Sequence, residues 1–145
     1  MKKIEETIEI IRPLQGVFTF TTDADKWPKW QTFITESTHT SQGALGVGST
    51  FKGIVHMMGL NMKWTAEATE YTPEIKWAKN INSGGIRIAE QMNYHPTEEG
   101  TEFKIVYDIE IHGFMKLFSP MIVRTMRKET IKSLSDLKTI LEAHT

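Results

Sequence analysis

The stretch 114–143 constrains this chain most, because it predicts a helix too long to lie anywhere but across the whole molecule. Ser119 suits an N-cap, Pro120 suits the first helical position, and no later proline interrupts the chain. With about 100° between successive residues, Ile122, Met126, Leu134, Leu137, Ile140 and Leu141 share one side, while Arg124, Lys128, Lys132, Ser135 and Glu142 share the other. Residues 121–142 then span roughly 33 Å at about 1.5 Å per residue, the width of a small domain. Thr130 and Ser133 fall near or inside the apolar stripe, so the buried face is not uniformly apolar.

Everything upstream reads as a sheet that covers this helix. Residues 4–11 mix β-branched and charged types, with Ile4, Ile8 and Ile10 on one parity, and Pro13 ends them as a first strand. From Pro13 a short helix sets Leu14, Val17 and Phe18 about one turn apart. Asp23 or Asp25 is suited to cap a second short turn that holds Trp27 and is limited by Pro28. Trp27 and Trp30 bracket this bend, either as a plug closing one end of the core or as a surface for ligand stacking. From Phe33 onward, Thr, Ile, Val and aromatic residues dominate, broken by Gly or Pro at 43–48, 59, 73, 84–85, 96–100 and 113. That punctuation implies six more strands joined by tight turns, hence an antiparallel sheet and an α+β fold.

Two hairpins can be read in register. With Gly59-Leu60 as a two-residue turn, Met57 faces Met62, Val55 faces Trp64, Gly53 faces Ala66 and Phe51 faces Ala68, all on one inward face. Gly53, Ala66 and Ala68 are small, which leaves either a close helix approach or an unfilled volume walled by Trp64. The second hairpin turns at 97–100, with Phe103, Ile105, Tyr107, Ile109 and Ile111 inward. Its partner strand then sets Tyr94 opposite Phe103, Met92 opposite Ile105, and Glu90 opposite Tyr107.

A carboxylate therefore lands among isoleucines. Burying it unpaired is expensive, so Glu90 must be paired, protonated, or facing a wet cavity, and Tyr107 is the evident hydrogen-bond partner. It is either a polar anchor or general acid/base inside an apolar pocket, or a structural Glu–Tyr pair or bulge. His39, His56, His95, His112 and His144 are scattered without metal-ligand spacing, so neither a metal nor any other cofactor is expected. The glycines between 43 and 48 precede a strand rather than a helix, which fits a hairpin connection better than a phosphate cradle.

With 17 Lys plus Arg against 18 Asp plus Glu, the net charge of −1 gives no global field toward nucleic acid. The basic outer face of the last helix lacks interleaved aromatics, so no nucleic-acid partner is expected. The N-terminal residues carry no apolar run of signal-peptide length and no window approaches the ~18 apolar residues of a membrane span. The expectation is cytoplasmic, without stable membrane insertion, as a monomer or homodimer. The segment 114–118 and Met121-Ile122-Val123 are apolar on nearly every side and need a cover: a pocket rim, a second copy, or transient contact with a membrane surface.

The order of one strand, two short helices, six antiparallel strands and a long final helix resembles the helix-grip fold of START domains and the birch pollen allergen. More closely it resembles the bacterial polyketide cyclase/dehydrase and lipid-transport-like proteins of that superfamily (SRPBCC). The matching pieces are Asp23 with Trp27 and Trp30, Gly43 with Gly46-Val47-Gly48-Ser49, Glu99-Gly100-Thr101-Glu102-Phe103, and Ser119-Pro120 leading to the helix end. The resemblance implies one START-like domain over 1–145, a sheet wrapped around the last helix, and an internal cavity for a small hydrophobic ligand such as a lipid or polyketide. It carries over no catalytic residue. Trp64, Glu90, Met92, Tyr107 and Met126 are the predicted cavity lining. The alternatives are a cyclase or dehydratase using Glu90 as acid or base, and a co-chaperone-like interaction module.

Overall fold

The computed structural model describes residues 2–143, so His144 lies outside the described residues. Strand β1 (Lys2–Ile10) leads into α1 (Leu14–Thr22), a single 3-10 turn (Ala24–Lys26) and α2 (Trp27–Trp30). Asp23 caps that turn, its Oδ1 accepting from the Asp25 amide at 3.0 Å. Pro28 sits in the first turn of α2, where its missing N–H costs nothing, and so opens that helix rather than ending it.

Six further strands follow: β2 (Ile34–His39), β3 (Thr50–Met57), β4 (Leu60–Thr72), β5 (Lys76–Ser83), β6 (Ile86–Pro96) and β7 (Thr101–Ile111). All pair antiparallel in the order β1-β7-β6-β5-β4-β3-β2, so every neighbour except β1–β7 is a sequential hairpin. This is the helix-grip architecture, a curved seven-stranded sheet holding α3 (Ser119–Ala143, 25 residues).

The β6–β7 register is the expected one, with Tyr94 opposite Phe103, Met92 opposite Ile105 and Glu90 opposite Tyr107. The β3–β4 register differs by two residues. Met57 pairs with Leu60, Val55 with Met62, Gly53 with Trp64 and Phe51 with Ala66. The turn is Met58-Gly59, both at positive φ (53° and 77°), the mirror-image geometry that matches strand twist. A shift of two preserves parity, so the inward set stays inward.

Helix α3 also starts differently. A 3-10 helix over Gly113–Phe118 runs directly into it, so Ser119 is already helical (φ −49°, ψ −49°) and donates its hydroxyl back to the Lys116 carbonyl at 2.8 Å. It is an interior residue, not an N-cap. The far end of α3 is clamped to β1: Glu142 Oε2 accepts from the Ile11 amide at 2.8 Å and from Lys138 Nζ at 2.7 Å, and Lys138 also donates to the Glu9 carbonyl. Between these ends Ile122, Met126, Thr130, Ser133, Leu134 and Leu137 are buried, the stripe read from the sequence.

Candidate functional site

One transverse row of the sheet organises the interior. Across β1, β7, β6, β5 and β4 the register sets Ile4, Tyr107, Glu90, Lys79 and Ala68 side by side on the inward face. Lys79 Nζ lies 2.9 Å from Glu90 Oε1, and both residues are only 3% exposed. The ammonium also sits 3.6 Å from the Trp27 ring centroid and 4.6 Å from that of Trp77, so its positive charge meets two electron-rich faces as well as a carboxylate. Burial lowers the Lys79 pKa, and Glu90 opposes that effect by charge and hydrogen bond. Burial raises Tyr107 well above the ordinary tyrosine value, and the negative charge of Glu90 adds to it. Gln31, in the turn after α2, donates from Nε2 to the Tyr107 hydroxyl at 3.1 Å.

These polar groups form one wall of a partly open cavity of about 80 Å³ between the sheet and α3. Apart from Ser83, whose hydroxyl is spent on the Lys63 carbonyl, its remaining walls are mostly apolar: Ile122 and Met126 from α3, Val55, Met57, Met62 and Trp64 from the β3–β4 hairpin, Ile86 and Ile88 from β6, and Phe33 with Ile34 at the start of β2. Four methionines, Met57, Met58, Met62 and Met126, give these walls conformational latitude.

Of the residues expected to line such a space, Trp64, Glu90, Tyr107 and Met126 border it. Met92 does not. It is 1% exposed in the packed core, where its sulfur accepts from the Trp77 indole N–H at 3.2 Å. It shares the Glu90 parity but stands one inward position further along β6, under the aromatic cluster rather than the cavity. The small-residue patch also needs correction. A Cβ on Gly53 would lie 1.9 Å from the Glu36 carbonyl oxygen and 2.6 Å from the Trp64 ring, so that position is filled by a bulged β2 backbone and an indole. Ala66 and Ala68 are buried core residues outside the cavity wall. Trp27 and Trp30 are both fully buried, and Trp27 alone of the two reaches the cavity.

Lys79 was not anticipated, although a signal existed. Gly84-Gly85 forms a two-residue turn that pairs Ser83 with Ile86, and counting back along β5 sets Lys79 on the inward parity opposite Glu90. Gln31 had no such signal, because it enters from a turn whose placement depends on how α2 packs. Outside the cavity, Phe114 (73%), Leu117 (79%), Phe118 and Met121 are exposed, whereas Ile122 and Val123 are buried. Among the described residues no group of His, Asp or Glu could hold a metal ion, and no helix is long and apolar enough to cross a membrane.

Solved structures share this architecture at low identity. A START superfamily protein from Mycobacterium smegmatis superposes with a TM-score of 0.82 at 13% identity, over 99% of each chain. The Zhui aromatase/cyclase from a Streptomyces species gives 0.83 at 11% identity, over 97% of this chain and 93% of that one. A protein from Thermus thermophilus gives 0.83 at 17% identity, over 99% of this chain and 100% of that one. These likenesses establish the fold. No curated protein matches the chain. The family model described as "Polyketide cyclase / dehydrase and lipid transport" matches residues 1–142, and the chain belongs to that family.

Proposed function

We propose that the protein binds a small, mostly apolar molecule in the cavity between the sheet and α3, as a carrier or binding protein. The observation that carries this reading is an unfilled volume of about 80 Å³ with a buried polar cluster on one wall. Side chains that line such a space forgo the packing contacts that a filled core would give them. Retaining both the space and the polar groups beside it is what a binding site requires. The family's description, which includes lipid transport, supports the same reading.

A screen of fatty acids, quinones and aromatic polyketides by thermal shift tests it. A ligand at about a hundredfold excess over its Kd adds about 2.7 kcal/mol of stability, and filling the space with Met126→Trp abolishes the shift. No shift with any compound, together with no chemical-shift change at Trp64, would overturn the reading.

A second reading, a cyclase or dehydratase acting on a carbonyl compound, is favoured by the position of Glu90 between Lys79 and Tyr107. Glu90 would take the proton from carbon, and the Tyr107 hydroxyl would hydrogen-bond the enolate oxygen that forms. On this reading Glu90→Gln abolishes turnover of a substrate that the variant still binds. Turnover left intact would end it.

A further inference from the structure

Two residues that line the cavity each carry a buried polar atom with no protein partner, the Gln31 Oε1 and the Trp64 indole N–H. Gln31 is 1% exposed and Trp64 5%. The Gln31 amide commits its Nε2 to the Tyr107 hydroxyl, which leaves the oxygen over. The Trp64 ring is held beneath Gly53 and against Trp27, with ring centroids 6.2 Å apart. A buried acceptor and a buried donor, each unpaired, thus belong to two side chains that border the same space, and both atoms lie just beneath its surface. The other two unpartnered buried side-chain atoms among the described residues, on Trp30 and Ser133, do not border it.

Charge narrows the ligand further. Among the described residues the one cation on the wall, Lys79, is already matched by the one anion, Glu90, so the site is neutral before anything enters. A carboxylate would be buried without a free counter-ion and would face Glu90. An alkane or plain arene would enter without penalty but would leave both orphan atoms unpaired.

Building on the ligand-binding reading above, we propose that the ligand is an uncharged hydroxyl compound, an alcohol or phenol. Its hydroxyl enters as the Gln31 and Trp64 side chains turn toward it, donates a hydrogen bond to Gln31 Oε1 and accepts one from Trp64 Nε1, and these two residues select it over a hydrocarbon or a fatty acid. A cavity of about 80 Å³ with four methionines in its walls suits a ring-sized body, with side-chain adjustment for a second ring.

Calorimetry and NMR titration with matched probes test this: benzene, phenol and benzoate, then naphthalene, 2-naphthol and 2-naphthoate. The hydroxyl member of each set is expected to bind about tenfold tighter than its hydrocarbon and its carboxylate, one good hydrogen bond's worth of discrimination. Trp64→Phe and Gln31→Met each lower the ratio of hydroxyl to hydrocarbon affinity several-fold. A merely loosened fold lowers all affinities together and leaves that ratio alone. A hydrocarbon or carboxylate that binds as tightly as the hydroxyl compound, or a ratio unchanged in both variants, overturns the proposal while leaving cavity binding intact. Failure of all six probes to bind removes the cavity-binding reading as well.

Discussion

Lys79 and Glu90 stand opposite each other on β5 and β6 and close a 2.9 Å ion pair inside the sheet's concave face. Neither charge has ready access to water, so each depends on the other, and the Trp27 and Trp77 rings supply the rest of the ammonium's surroundings. The cavity's polar wall is built on this pair.

Removing one partner leaves the other charge buried without compensation. Lys79→Met is expected to cost about 3 to 5 kcal/mol in urea unfolding, and the double variant Lys79→Met with Glu90→Leu to recover most of that loss. Simple additivity of the two single losses would show that the residues do not act as a pair.

Alkaline pH separates the buried groups by sign. Tyr94 and Tyr107 have raised pKa values, chiefly through burial, so they stay protonated in the fold where the unfolded chain ionises. Their stabilising share is complete below about pH 10 and is lost as pH rises beyond it. Lys79 is lowered, so the unfolded chain holds the extra proton between its folded value and about 10.4, and its contribution to stability rises with pH there. Urea midpoints are therefore expected to fall above about pH 10, less steeply in Tyr94→Phe. Lys79→Met should lack the preceding rise. Parallel profiles for all three proteins would contradict the assignment.

The glycines make a contrasting pair. Gly53→Ala drives a Cβ into the Glu36 carbonyl and the Trp64 ring and is expected to destabilise by about 3 kcal/mol. Gly16 lies in α1 with nothing within 4 Å of an added Cβ, and Gly16→Ala should stabilise by about 0.5 to 1 kcal/mol through helix propensity. Chemical denaturation of both variants checks the opposite signs.

The exposed patch tests whether apolar surface near the start of α3 holds the fold or serves contact. Phe114 and Leu117 touch solvent over most of their surface, so Phe114→Ser and Leu117→Ser should change unfolding free energy by less than about 0.5 kcal/mol. Gel filtration of Phe118→Asp beside the parent chain reports on self-association. An unchanged elution volume with unchanged partners in a pull-down would rule out a contact role for this residue.

Local pattern carried most of the architecture. Alternation over residues 103–111 marks an inward face, the apolar stripe after Pro120 marks a long amphipathic helix, and glycine or proline at each turn divides the strands. All three depend on neighbours a few residues apart, which a sequence exposes directly. The β6–β7 register followed from the four-residue loop at 97–100, and Glu90 emerged as an inward acid from parity alone.

The β3–β4 register, the 3-10 approach to α3 and the position of the cavity did not follow in the same way. Leu60 lies outside the first turn because Met58 adopts a positive φ, a conformation its residue type disfavours and the closed hairpin imposes. The small Gly53 holds no empty space because a bulge in β2 pushes a carbonyl into it. Gln31 reaches Tyr107 from 76 positions away in the chain, a meeting set by how α2 docks against the sheet. Sequence determined which side chains face inward. Only the tertiary structure decided which of them are covered and which border open space, because filling a concave sheet depends on several elements arriving together.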